Sequence, residues 1–170
     1  MREILIVDGY NMIGAWPELK ELKDRDLALA RDKLIDRLAE YQAYTGCKVI
    51  LVFDAHMVPG VGRTYNNHRI EVIYTRKNET ADERIERLVR ELKRIDTQIY
   101  VATSDLAEQS HIFGSGALRK SARELHNEME VTGKGIEKTV EKSNKEHNST
   151  KIALTEELAE IFEKWRRGDR

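Results

Sequence analysis

At 170 residues with a 40% hydrophobic share, the chain has the size of one domain with a real core and at most a short appendage. Its formal net charge of -1 argues against a global basic field, so any nucleic-acid binding would fall to a local basic rim. The single cysteine, Cys47, excludes an internal disulfide, no Cys/His spacing suits zinc, and no apolar run reaches membrane-spanning length.

Residues 3–8 read as a buried strand, Ile4-Leu5-Ile6-Val7 closed by Asp8. Because Met1-Arg2-Glu3-Ile4 moves straight into it, no signal peptide is expected, and the expected location is cytoplasmic. Residues 9–23 read as a loop, with Gly14 and Pro17 as breakers. Asp26 is the expected N-cap of a helix over 27–44, whose apolar positions Leu27, Ala30, Leu34, Leu38 and Tyr41 keep helical spacing and which Gly46 ends. A strand follows over 48–54, and Asp54 closes it. Cys47 beside it is expected to pack near the core.

Pro59, Gly60 and Gly62 make 55–69 a flexible loop in this reading. A third strand spans 70–75. Thr80-Ala81-Asp82-Glu83 is a capping box, backed by the stripe Ile85, Leu88, Val89 and Leu92. A fourth strand spans 98–102, with Asp105 after it. A short helix is expected from about Leu106, interrupted by Gly114 and Gly116, and Ser121-Ala122-Arg123-Glu124 opens another. Residues 132–151 are polar and charged, part exposed helix and part linker. Thr155 would cap a last amphipathic helix carrying Leu158, Ile161, Phe162 and Trp165. The organisation expected is a domain over 1–130 and a charged helical C-terminal extension over 131–170. Strands alternating with helices imply a parallel α/β sheet with right-handed crossovers.

In such a sheet ligands bind outside the carboxyl ends of the strands, and there Asp8, Asp54, Asp82 and Asp105 would gather. Singly each has an ordinary role. Asp82 can favour a helix dipole, Asp105 can N-cap, and Asp54 can brace a turn. Asp8, at the end of a buried strand before Gly9, is the hardest to explain so. Together they would repel one another without a cation, and Mg2+ or Mn2+ is the natural one for oxygen ligands. Asn11 could hold a carboxylate, a water or a phosphate. Ser104 could bond a ligand or cap a helix, and for Thr103 the capping role is the stronger. No Walker loop, dinucleotide fingerprint, zinc-protease or esterase motif is present, so no nucleotide cofactor is expected. The histidines His56, His68, His111, His126 and His147 show no ligand spacing. His56 could touch substrate, and most of the others read as surface residues.

The ordered set Val7-Asp8-Gly9-Tyr10-Asn11, Phe53-Asp54-Ala55, Glu79-Thr80-Ala81-Asp82 and Thr103-Ser104-Asp105 resembles the NYN domain of the PIN-like nucleases. Glu108-Gln109, Phe113, Gly116-Ala117, Arg119 and Ser121-Ala122-Arg123-Glu124-Leu125 resemble its bacterial YacP branch, so the likeness covers about 3–126. It implies a PIN-like three-layer α/β/α fold, with a central mostly parallel sheet and C-terminal helices. It also implies RNA cleavage with Mg2+ or Mn2+, with Asp8, Asp82 and Asp105 holding metal and Asp54 as another acidic strand end. It implies an endoribonuclease acting on mRNA in association with the ribosome, through attack of a metal-activated water on the phosphodiester. Ala107 stands where many PIN-like proteins carry a further acid. Glu108 is a possible substitute, and the metal count stays open.

A polyanion needs a basic surround. Arg63, Arg69, Arg76 and Lys77 follow Asp54, together with Tyr65, Asn66, Asn67 and His68, which could stack on or bond unpaired bases. Arg119, Lys120 and Arg123 form a second basic cluster, for phosphate or for ordinary helix-surface pairs. Two other readings compete: a non-catalytic RNA- or ribosome-binding module, which Ala107 favours, and a small-molecule phosphohydrolase. The missing D-x-D after the first strand argues against the commonest type of the latter.

Overall fold

The apolar run of the first strand becomes the middle of the sheet because it is buried on both faces. In the computed structural model, β1 (Arg2–Asp8) carries Ile4, Leu5, Ile6 and Val7 at 3% exposure or less. The structure describes residues 1–55, 70–105 and 114–133, the backbone of 64–67, and residues 160, 163 and 166.

Beside β1 lie β2 (Lys48–Phe53) and β5 (Thr97–Ala102). Outside these come β4 (Ile70–Tyr74) with β3 (Thr64–Asn67) on one side and β6 (Leu118–Lys120) on the other, in the order β3-β4-β2-β1-β5-β6. All neighbours pair parallel except β3, which runs antiparallel along β4. The registers set Asp8 opposite Val52 and Val7 opposite Ala102. The carboxyl ends of five strands therefore share one edge.

Side chains alternate across a strand, so the sheet feeds two cores. Leu5, Val7, Val49, Leu51, Phe53, Ile70 and Val72 face one layer, made of α1 (Gly9–Ala15), α2 (Pro17–Arg25), α3 (Leu27–Thr45) and α5, the helical residues 122–133. Ile4, Ile6, Ile50, Val52, Ile73, Ile99 and Val101 face α4 (Ala81–Leu92), which returns Ile85, Leu88 and Val89. This is the expected three-layer α/β/α fold.

The local signals behind α3, α4 and α5 are realised as bonds. Asp26 Oδ1 accepts from the Leu29 N–H at 3.1 Å, Thr80 Oγ1 from the Glu83 N–H at 3.2 Å, and Ser121 Oγ from the Glu124 N–H at 3.1 Å. Gly46 ends α3 at φ 75°, a left-handed turn that glycine adopts without a Cβ penalty.

The expected loop over 9–23 is instead two helices. Pro17 does not break them; it opens α2, where its missing N–H costs nothing. The helical spacing lies in Met12, Ile13, Trp16 and Leu19, all at 1% exposure or less. Two short strands also went unread. β3 lies inside the expected 55–69 loop, and β6 has three residues, too few for a periodic signal. The expected helix from Leu106 and the stripe behind Thr155 fall outside the described residues.

The chain divides into compact units, Met1–Thr132 and Gly133–Arg170. In the second, residues 160, 163 and 166 are helical and Arg166 pairs with Glu163 at 3.2 Å.

Candidate functional site

From β1 the chain builds outward through β2 to β4, then returns to the other side of β1 as β5 and β6. The switch point lies between β1 and β5, where an open α/β sheet parts its loops into a crevice. Asp8 is the last residue of β1, and Thr103, Ser104 and Asp105 follow β5.

One side chain joins the two lips. Asn11 Oδ1, on α1, accepts the Ser104 N–H at 2.8 Å. The 103–105 turn is held from two further sides. The Thr103 N–H donates to the Lys120 carbonyl at 3.1 Å, and Thr103 Oγ1 accepts the Asp105 N–H at 3.1 Å. Thr103 is fully buried, while Ser104 and Asp105 are exposed. Asp8 is half-buried. It occupies the N-cap position of α1, yet its side chain makes no cap bond. Gly9 after it has no room for a Cβ, because the Phe53 ring occupies that space.

The neighbouring strand ends are braced in the same way. The Thr75 N–H donates to the Phe53 carbonyl at 3.0 Å, and Thr75 Oγ1 accepts the Ala55 N–H at 2.8 Å, with half-buried Asp54 between them in sequence. Asp82 is exposed in the first turn of α4. Thr80 makes the cap there, so Asp82 is not needed for it.

Sequence reasoning missed the role of Glu79. Its side chain, 12% exposed, takes Arg84 Nη1 at 3.5 Å and Arg87 Nη2 at 3.0 Å. The signal was present in the placing of two arginines one and two turns into the helix behind it.

The basic candidates divide. Arg119 on β6 and Arg123 in the first turn of α5 are exposed, as are Arg76 and Lys77 after β4. Lys120 Nζ instead meets Glu128 Oε2 at 2.8 Å and lies 4.8 Å from the centre of the Tyr100 ring, packing β6 and β5 against α5. Arg63 and Arg69 fall outside the described residues. Cys47 is buried, which pushes its thiol up to about 11.

A second polar cluster includes His126, the one histidine among the described residues. His126, half-buried on α5, sits 2.9 Å from Glu18 Oε1 and 3.2 Å from Glu18 Oε2. Arg37 of α3 bonds Glu18 and reaches Glu130 at 2.9 Å. Beneath them lies Trp16, whose Nε1–H donates to the Ala122 carbonyl at 2.8 Å. The His126 ring meets it edge-on at 5.3 Å, and the Arg37 guanidinium lies 5.4 Å from its centre. Burial alone would raise the Glu18 carboxyl, but its backbone hydrogen bond, His126 and Arg37 outweigh this and hold it below its ordinary range. Among the described residues, Glu18, His126 and Glu130 do have ligating atoms within 4.8 Å of one another. The Arg37 cation already neutralises them, and a metal would have to displace it. Asp8, Asp54, Asp82 and Asp105 lie at strand ends and a helix start of the carboxyl edge, and among the described residues they do not form a group of ligating atoms as close as that one.

With this geometry in place, comparison with known proteins is direct. Residues 5–167 match the family described as the YacP-like NYN domain. The uncharacterized protein YacP of Bacillus subtilis (strain 168) is 60% identical over 167 residues, 98% of each chain. The crystal structure of Rae1 (YacP) from Bacillus subtilis superposes with a TM-score of 0.78 at 61% identity, covering 98% of this chain and 95% of that one. A crystal structure of a tryptophan-to-leucine mutant of the same Bacillus subtilis protein gives a TM-score of 0.73 at 60% identity, covering 82% of this chain and 81% of that one. NYN domains are nuclease-type, which supports a nuclease-like, RNA-related role. Among the described residues no helix is long and apolar enough to cross a membrane.

Proposed function

The chain belongs to the YacP-like NYN family, and from that membership we propose that it is a metal-dependent endoribonuclease that cuts mRNA engaged with the ribosome in the cytoplasm. The observation that carries this reading is the Asn11–Ser104 bond, which ties the strand end bearing Asp8 to the turn bearing Asp105.

Asp8, Asp82 and Asp105 are the proposed holders of Mg2+ or Mn2+, with Asp54 as a further carboxylate. A divalent cation at such a site neutralises charge on the scissile phosphate and makes water a stronger nucleophile near neutral pH. The protein supplies position. Asn11 and the backbone around Ser104 fix the lips, so the acids meet the phosphate without rearranging. Arg119 and Arg123, with Arg76 and Lys77, offset the acids for an incoming polyanion. Arg63 and Arg69 are assigned the same task from their place after Asp54 in the sequence. Lys120 acts on substrate only through the β6–α5 packing it holds.

The test is cleavage of a translated mRNA, with and without ribosomes, in Mg2+ and in Mn2+, by wild type and by an Asp8→Asn/Asp82→Asn variant. The expected result is ribosome-dependent cutting, lowered at least about a hundredfold in the variant, with thermal unfolding little changed. Cuts on naked RNA would make it a general nuclease. Full activity in a folded Asp8→Asn protein would falsify the assignment. Ribosome binding without mutant-sensitive cuts would favour the non-catalytic module that Ala107 suggests.

A further inference from the structure

Three aromatic rings meet at the carboxyl edge, beside the acids and unused by the chemistry above. Phe53, the last residue of β2, is fully buried. Tyr10, in the first turn of α1 and two residues past Asp8, packs on it with centroids 5.0 Å apart and planes tilted by 51°. Tyr74, the last residue of β4, stacks on it at 5.5 Å and 26°. Both tyrosines are half-buried, so each keeps part of its surface open.

The rings are held firmly. The Tyr10 hydroxyl accepts a 3.3 Å hydrogen bond from Arg31 Nη1 on α3. Aliphatic side chains would cover the core below equally well. A ring with an apolar body and a polar tip suits a surface that must also meet a flat ligand.

We infer that Tyr10 and Tyr74, backed by Phe53, form a stacking platform for an unpaired nucleobase of the RNA, beside the edge acids. This rests on the nuclease reading and adds to it the state of the substrate, a single-stranded segment with a base splayed from its neighbours. Stacking tolerates sequence because every base has a π face, but a base inside a duplex cannot reach a platform. A protein of net charge -1 also gains little from long-range attraction to a polyanion. Stacking supplies affinity that salt does not screen, and rings fixed in advance lose little freedom on binding.

The full chain carrying Asp82→Asn, which keeps RNA uncut, is titrated in Mg2+ with short oligoribonucleotides. A single 2-aminopurine is moved along the strand, and its fluorescence reads stacking. The expected result is strong quenching at one or two positions. Tyr10→Leu and Tyr74→Leu should remove it and weaken binding about 5- to 150-fold. Tyr10→Phe should keep it, since the ring and not the hydroxyl carries the contact. An abasic site at the quenched position should weaken binding by a similar factor in the parent and have no effect in Tyr10→Leu.

Folded leucine variants that quench like the parent would overturn the platform. So would no quenching at any position, or a Tyr10→Leu loss that is the same for intact and abasic RNA, which would mark a purely structural role. The two readings fail separately. Quenching in a protein whose unsubstituted form cuts no RNA retires the nuclease and leaves the platform. Cutting without quenching retires the platform alone.

Discussion

Two polar clusters in the unit Met1–Thr132 differ in the bonds that hold them together. At the meeting of α2, α3 and α5, Glu18, His126 and Glu130 converge within 4.8 Å, and Arg37 sits among them over Trp16. At the carboxyl edge, Asp8, Asp54, Asp82 and Asp105 arrive from separate elements. The bracing there is done by Asn11, Thr103 and Thr75 through backbone N–H groups. The first cluster carries its own cation and joins helices. The second uses neutral side chains to fix strand ends. Closeness of acids alone would favour the first for a metal, but the Arg37 counter-charge there argues against it.

The largest effect should come from breaking the first cluster at its base. Trp16→Ala removes a side chain 1% exposed, the bond to Ala122 and the surface on which Arg37 and His126 rest. The expected cost is about 3–5 kcal/mol in urea unfolding. Cleavage per folded molecule, read well below the unfolding midpoint, should persist. A folded Trp16→Ala protein that does not cut would show that the junction serves the edge, and the contrast would collapse.

Asn11→Ala tests the other side. Its bond to the exposed Ser104 turn contributes about 0.5–1.5 kcal/mol to stability. Cleavage should fall about tenfold or more, because position at the switch point is what the bond supplies. Equal losses of folding and activity, or a normal rate, would count against Asn11 as a positioning residue.

The sequence showed the scaffold where a signal repeats or a cap is local. The runs at Ile4–Val7 and Val49–Phe53 and the caps Asp26, Thr80 and Ser121 are read from neighbours in the chain, and each is found in place. It misread 9–23 because breakers were weighed above spacing. Gly14 lies inside α1, and Pro17 starts a helix. Asp8, Asp54 and Asp105 were visible at or just after strand ends, and Asp82 at a helix start. Their bracing was not, because the Asn11–Ser104 bond joins residues 93 apart and the Trp16–Ala122 bond residues 106 apart. For Lys120 two readings stood open in the sequence, a grip on phosphate or a helix-surface pair, and only the fold places Glu128 against it.

The smallest effect, and the sharpest statement about charge, lies in Glu18→Gln. The Glu18 carboxyl is held below its ordinary value in the folded protein, so folding favours the carboxylate. Its contribution is therefore fully present above the unfolded value near 4.5 and is lost as pH falls through the lower folded value. The side chain is 31% exposed and screened by solvent, so the contribution is about 1 kcal/mol or less. Urea midpoints of wild type and Glu18→Gln, compared from pH 3 to 6, should lie farthest apart at the upper end and converge toward acid. A gap that stays flat through this range would mean that His126 and Arg37 do not stabilise the carboxylate. The junction would then be held by Trp16 packing alone.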